Sequence, residues 1–201
     1  HKLVRYTNNK ITAEEPASFV LPKKPISHLK SILTGVESSV KVDYSAQTHH
    51  IQFSFDNLTM FSSLKEGKYP SYQNVIPKEN PFNLVVNREE FLRSIKRVCN
   101  YSNQSSFQIR LALSEEGTVL TAEDLDFSNK AEESIAGLYT GEKMSIGFNA
   151  KFLREMLENM DGNEIRMELS RPEKAALILP VEEFSAEESV LMLIMPVMLN
   201  Y

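Results

Sequence analysis

Few side chains in this sequence stand where they could do covalent or metal chemistry. His49 and His50 are adjacent between two strand-like runs, with no cysteine or carboxylate at ligand spacing. A turn explains them better than a metal site. Glu123, Asp124 and Asp126 could hold a hard cation or act as a hydrolase's carboxylates, but an acidic loop between strands is ordinarily solvated. Cys99 is the single cysteine, so no internal disulfide forms, and its helical neighbours Ile95 and Val98 suit a packed thiol. There is no phosphate-cradling glycine loop, nucleophile elbow or Ser–His–carboxylate pattern, and seven glycines leave little for one. The sequence therefore predicts no catalytic residue, no metal and no cofactor. A small α+β hydrolase using Glu123 and Asp126 is the rival.

Charge is distributed in a way that the net value of −5 conceals. Residues 22–34 carry Lys23, Lys24 and Lys30 with no acid. Residues 87–99 carry Arg88, Arg93, Lys96 and Arg97 against Glu89 and Glu90; residues 149–161 carry Lys151 and Arg154 against three acids. These stretches are net +4 together and the rest of the chain −9. Charge alone leaves two readings open: a phosphate-facing surface on an acidic body, or ordinary solvated helix faces.

All three stretches have the apolar spacing of an amphipathic helix, and they sit in a repeat. MSIGFNAKFLREMLENM (144–160) reads as a strand, a turn at Asn149, and a helix with Phe152, Leu153, Met156, Leu157 and Met160 on one face. FNLVVNREEFLRSIKRV (82–98) says the same with Asn87 at the turn, and FLRSI echoes FLREM. SFVLPKKPISHLKSIL (18–33) is the third copy, with Pro22 at the turn. Three strand-like runs follow each helix: VKVDY, HIQFSFD and LTMFSSL, then FQIRLALS, TVLTAED and SIAGLYT, then EIRMELS, AALILP and SVLMLIMPVML. The predicted unit is strand–helix–three strands, present three times, with a stray strand at 2–6. Mostly antiparallel sheet with helices on one face is an α+β architecture.

The best boundary is EGKYPSYQNVIPKENP (66–81), with three prolines and no period. It divides the chain into 1–80 and 81–201. The second part holds two complete units and the first only one, which predicts a chain that starts in mid-domain. No secretory signal opens the sequence, and the longest apolar run (190–199) is half of what a membrane span needs, which predicts a cytoplasmic protein. The end, LMLIMPVMLNY, places three methionines and a proline on a nearly apolar terminus. Proline ends ladder pairing, so Met195 to Leu199 either fold over their own core or offer an adaptable peptide-binding surface.

In order and spacing these pieces resemble the bacterial sliding clamp family, the β subunits of DNA polymerase III. The resemblance rests on the paired units, GFN (147–149) before a helix, GKYPSYQNVIP (67–77), the opening HKL and the terminal Met195-Pro196. It covers the whole chain, as the latter half of clamp domain two with its linker and all of domain three. It implies a DNA-clamp fold with sheets outside and helices on the inner face. It also implies a homodimeric ring that slides on duplex DNA through phosphate contacts. Lys23, Lys24 and Lys68 match the family's basic positions, Arg110 falls near another, and Arg88 and Lys96 join them from the basic helix count. Polymerase III α subunit, clamp loader and other clamp-binding partners would dock by short peptides. Their cleft would comprise His1, Leu3, Pro70, Val75, Asn149, Phe152, Ala176, Leu193, Met195, Pro196, Val197 and Met198. Asn100, Tyr101 and Ser102 fall at the family's ring interface. Asn74 and Met198 stand where relatives carry arginine, which makes the cleft less basic, and Asn200 and Tyr201 extend past the usual end to shade it.

Overall fold

The structure, a computed structural model, describes residues 1–12, 15–182 and 187–199. The first strand, β1 (Lys2–Asn8), belongs to a compact unit with Tyr72–Tyr201, and Ala13–Ser71 forms a second, smaller unit. The sequence boundary near residue 80 differs from this division in assigning β1 to the preceding part. Among the described residues no helix is long and apolar enough to cross a membrane.

The smaller unit holds α1 (Lys23–Ile32) and a three-stranded antiparallel sheet, β2 (Lys41–Ser45), β3 (His50–Phe55) and β4 (Leu58–Ser63). Strand β3 buries Ile51, Phe53 and Phe55 and turns His50, Gln52 and Ser54 the other way, the two-residue alternation of a half-buried strand. Helix α1 buries no residue at all, and Ile26 on its apolar stripe is 47% exposed. Its N-cap, Pro22, has no side-chain oxygen to satisfy the first amides. The expected strand at 18–22 is reduced to one bridge, Val20 to Lys65.

In the larger unit the elements continue as β5 (Phe82–Asn87), α2 (Arg88–Val98), β6 (Gln108–Ser114), β7 (Gly117–Asp124), β8 (Asn129–Ile135) and β9 (Gly137–Thr140). Then follow β10 (Met144–Asn149), α3 (Ala150–Glu158), β11 (Glu164–Leu169), β12 (Ala176–Pro180) and β13 (Glu188–Ile194). Two antiparallel sheets result, in the orders β1-β13-β12-β11-β5-β9 and β10-β6-β7-β8. The two repeats exchange their leading strands: β5 pairs with β11 (Val85 opposite Arg166) and β10 pairs with β6 (Phe148 opposite Ile109). Neither repeat can complete its sheet alone.

Both helices pack into the core the sheets share. Phe91, Ile95 and Val98 from α2 and Leu153, Met156 and Leu157 from α3 join Leu84, Leu111, Phe148 and Met167. Each such side chain stabilises the fold by about 1.5–3 kcal/mol through burial. Asn87 and Asn149 cap the helices, accepting from the amides of Glu90 and Phe152 at 3.0 and 3.1 Å.

The run 134–140, predicted as one strand, is two. The chain leaves the smaller sheet after Ile135 and enters the larger at Gly137, where a Cβ would lie 2.6 Å from Val86 Cγ1 and 2.7 Å from Val85 O. Only glycine fits that crossing. Strand β1 is not stray, since it pairs with β13 along its whole length.

Candidate functional site

Strand β13 stops at Ile194, and the chain after it is held at two points rather than by a ladder. The Met195 amide donates to His1 O at 2.8 Å and the Val197 amide to Gly147 O at 2.9 Å. Pro196 between them has no N–H to give. The tail thus crosses from the edge of the larger sheet onto β10. A Cβ on Gly147 would stand 2.7 Å from Val197 O and 2.8 Å from Leu199 Cδ2, so the close approach depends on glycine. Met195 and Met198 remain exposed, Met198 at 78%. Asn200 and Tyr201 lie outside the described residues.

On one face of the sheet at this edge, Leu3, Leu193 and Leu177 lie in register across β1, β13 and β12. With Ala175, Ile76, Leu179 and Leu191 they form an apolar cluster separate from the main core. Val75, in a short 3-10 turn beside Ile76, is exposed. Ala176 does not belong here. It points to the other face, is fully buried and packs in the main core, so its neighbours Ala175 and Leu177 take the place expected for it. Pro70 is part of the smaller unit and is exposed there.

Across the strand the side chains alternate. Lys2, opposite Ile194, reaches α3, where its ammonium pairs with Glu155 and lies 4.9 Å from the centre of the Phe152 ring. The His1 ring is 6.4 Å from the same ring. Asn149 is largely occupied: its oxygen caps α3 and its Nδ2 donates to Ser106 O at 2.8 Å. One lone pair and one N–H are left for a ligand. The loop before β6 anchors this helix end further. Phe107, at φ 49, accepts the Ala150 amide at 2.8 Å, and Lys151 Nζ lies 3.3 Å from its ring centre. An aromatic residue in left-handed backbone is an outlier that only a fixed surrounding sustains. Lys2, Glu155 and Phe107 were not singled out from sequence, because their partners are distant in the chain.

The basic residues divide in two groups. Lys23 and Lys24 are exposed on the first turn of α1, with no acid in that turn and no side-chain cap. Lys68 lines a cavity of about 540 Å³ in the same unit, with Phe19, Tyr44 and Lys65 among its walls. In the larger unit the charges are mostly engaged. Arg88 donates to Gly162 O at 2.7 Å and Leu157 O at 3.1 Å, closing the end of α3, and is mostly buried. Lys96 pairs with Glu158 at 2.8 Å, which joins α2 to α3; its hydrogen bond holds that carboxyl below the usual range. Arg97 and Ser94 hold Glu133 of β8 below that range as well. Arg110 bonds Ser145 at 3.0 Å. Arg88, placed with the DNA-facing residues on charge, has structural work instead.

Asn100 and Tyr101 are exposed on the turn after α2, whereas Ser102 is 1% exposed and bonds Cys99 O at 2.7 Å. Ser102 therefore shapes that turn from inside and presents no surface. The acids of the hydrolase alternative do not converge on a cleft. Glu123 faces Lys130 across the β7–β8 pair, and Asp126 accepts from Asn103 at 3.1 Å. Among the described residues no three His, Cys, Asp or Glu gather to hold a metal, and His50 lies 3.4 Å from Ser63 Oγ.

Residues 73–197 match the family model of the DNA polymerase III beta subunit, C-terminal domain, and residues 1–71 that of its central domain. The chain is 30% identical over 168 residues to the β sliding clamp of Pseudomonas putida, covering 84% of this chain and 45% of that protein. To the β sliding clamp of Treponema pallidum it is 31% identical over 172 residues, covering 83% and 46%. The sliding clamp (DNA polymerase III subunit beta) of Pseudomonas aeruginosa bound to griselimycin aligns with a TM-score of 0.88 at 26% identity, covering 99% of this chain and 52% of that one. The clamp of Bartonella birtlesii bound to griselimycin gives 0.86 at 28%, with coverages of 99% and 52%. The chain spans under half the length of these curated relatives. Its fold is the DNA-clamp fold, and the chain belongs to the bacterial β sliding clamp family, the β subunits of DNA polymerase III.

Proposed function

We propose that the chain is part of a DNA polymerase processivity factor, a non-catalytic ring segment of the cytoplasm. In this reading the ring encircles duplex DNA without reading its sequence and tethers polymerase and other replication proteins by short peptides. The observation that carries the reading is an apolar sheet edge: the Leu3–Leu193–Leu177 row lies on one face, Phe152 lies by Lys2 on the other, and Met195 and Met198 stay exposed on the tail that follows β13. A soluble fold gains nothing from placing methionines on an exposed terminus, but a slot for apolar peptide anchors does. Asn149 has polar capacity left for the peptide backbone, and Val75 offers a further apolar contact.

Helix α1 supports the DNA contact. Lys23 and Lys24 sit at the positive end of the helix dipole, where lysine is disfavoured and a phosphate is favoured. Lys68, Lys96 and Arg110 are further basic contacts in this reading. Asn100 and Tyr101 would lie at the interface of a homodimeric ring. The division near residue 80 marks the junction of domains two and three.

The test is titration of a labelled peptide containing glutamine, leucine and a terminal phenylalanine against this chain and against one ending at Ile194. Saturable binding lost on truncation is the expected result. No binding even to a chain extended to the full length of its relatives would end the reading.

A further inference from the structure

We infer that the Lys2–Glu155 ion pair over Phe152 is a charge filter that makes the docking site prefer uncharged peptide ends to acidic ones. This inference rests on the peptide-docking reading and adds to it the chemistry of the ligand.

Lys2 comes from β1 and Glu155 from α3, and the ammonium they share with the Phe152 face is fixed from two sides. Lys2 is the more covered partner, its side chain 32% accessible against 62% for Glu155. In water such a pair contributes little. A peptide seated on Phe152 removes that water, and the local dielectric falls. Both the Lys2–Glu155 attraction and any like-charge repulsion then strengthen. A peptide carboxylate arriving there meets the Glu155 charge and must take Lys2 from it. A neutral side chain leaves the pair intact. With Glu155 neutralised, Lys2 would keep its place over Phe152 without a carboxylate and would accept one from the ligand. The site would then change its preference while keeping its apolar contacts.

The experiment compares two labelled peptides of the kind described above, both amidated at the C-terminus and identical except for serine or aspartate beside the terminal phenylalanine. Each is titrated against the wild-type chain, Glu155→Gln and the double variant Lys2→Met/Glu155→Gln at low and high salt. Thermal melting confirms that each variant is folded. Glu155→Gln is expected to shift the affinity ratio toward the aspartate peptide by about three-fold or more at low salt, with the shift fading as salt is raised. The double variant should lose that shift. An unchanged ratio in Glu155→Gln, with both peptides still binding, overturns the filter and leaves docking standing. Failure of both peptides to bind any form, wild type included, overturns docking and the filter together.

Discussion

Helix α1 and helix α3 come from the same sequence pattern and have opposite fates. In the larger unit two repeats exchange leading strands and close one core over α2 and α3. In the smaller unit a single repeat has only the Val20–Lys65 bridge where β10 has a full partner in β6, and α1 buries nothing. The difference shows that a strand–helix–three-strand repeat is not a self-sufficient folding unit. In the larger unit a second repeat covers the helix's apolar stripe, and in the smaller unit the stripe of α1 stays exposed. The same contrast holds for charge, since α2 and α3 neutralise much of theirs on each other and on β8, whereas the α1 lysines remain exposed.

The contrast is broken most directly by matched truncations. Leu153→Ala should cost about 2–5 kcal/mol in denaturant unfolding, because Leu153 is wholly buried. Ile26→Ala should stay within about 0.5 kcal/mol. A comparable loss at Ile26 would mean that α1 is packed in solution. A smaller effect tests the tail. Gly147→Val should destabilise the larger unit by about 1–3 kcal/mol, because the clash is with the Val197 carbonyl, which cannot rotate away as a side chain would. The same substitution should abolish peptide binding; retained binding would mean that Met195–Leu199 find their place without the Val197–Gly147 bond.

Much of this arrangement was legible because its signals are local. The FLRSI and FLREM stripes and the Asn87 and Asn149 turns report helices and caps within one turn of chain. Pairing is not local, and the misreadings follow from that. Residues 18–22 have the composition of a strand but no neighbour to make them one. Residues 129–133 have a polar composition and are a strand because β7 is beside them. Ala176, expected beside Leu193, is one residue away from the apolar cluster, and in a strand one residue is the opposite face. Lys2 and Glu155 meet only after the fold has closed.

The smallest expected effect concerns acid. Arg97 and Ser94 lower the Glu133 pKa in the folded state, so their contribution is full above the ordinary carboxylate range of about 4.3. It is lost as pH falls through the lower folded value. Glu133→Gln should therefore destabilise the chain slightly at neutral pH, and its melting temperature should converge with that of wild type in stronger acid. A gap that persists there would assign the effect to packing rather than to charge.

The pairing of β1 with β13 also sets a timetable. Lys2 is made long before Ile194, the residue it pairs with. Chain closure over such a separation is slow, and contacts of this kind dominate refolding times. During synthesis β1 must wait, an unpaired strand edge of the sort that invites intermolecular association. The edge built from β1, β13 and the tail is then the last part of the larger unit to form. A ribosome-bound intermediate should consequently hold a formed α2 while the β1–β13 edge is still absent.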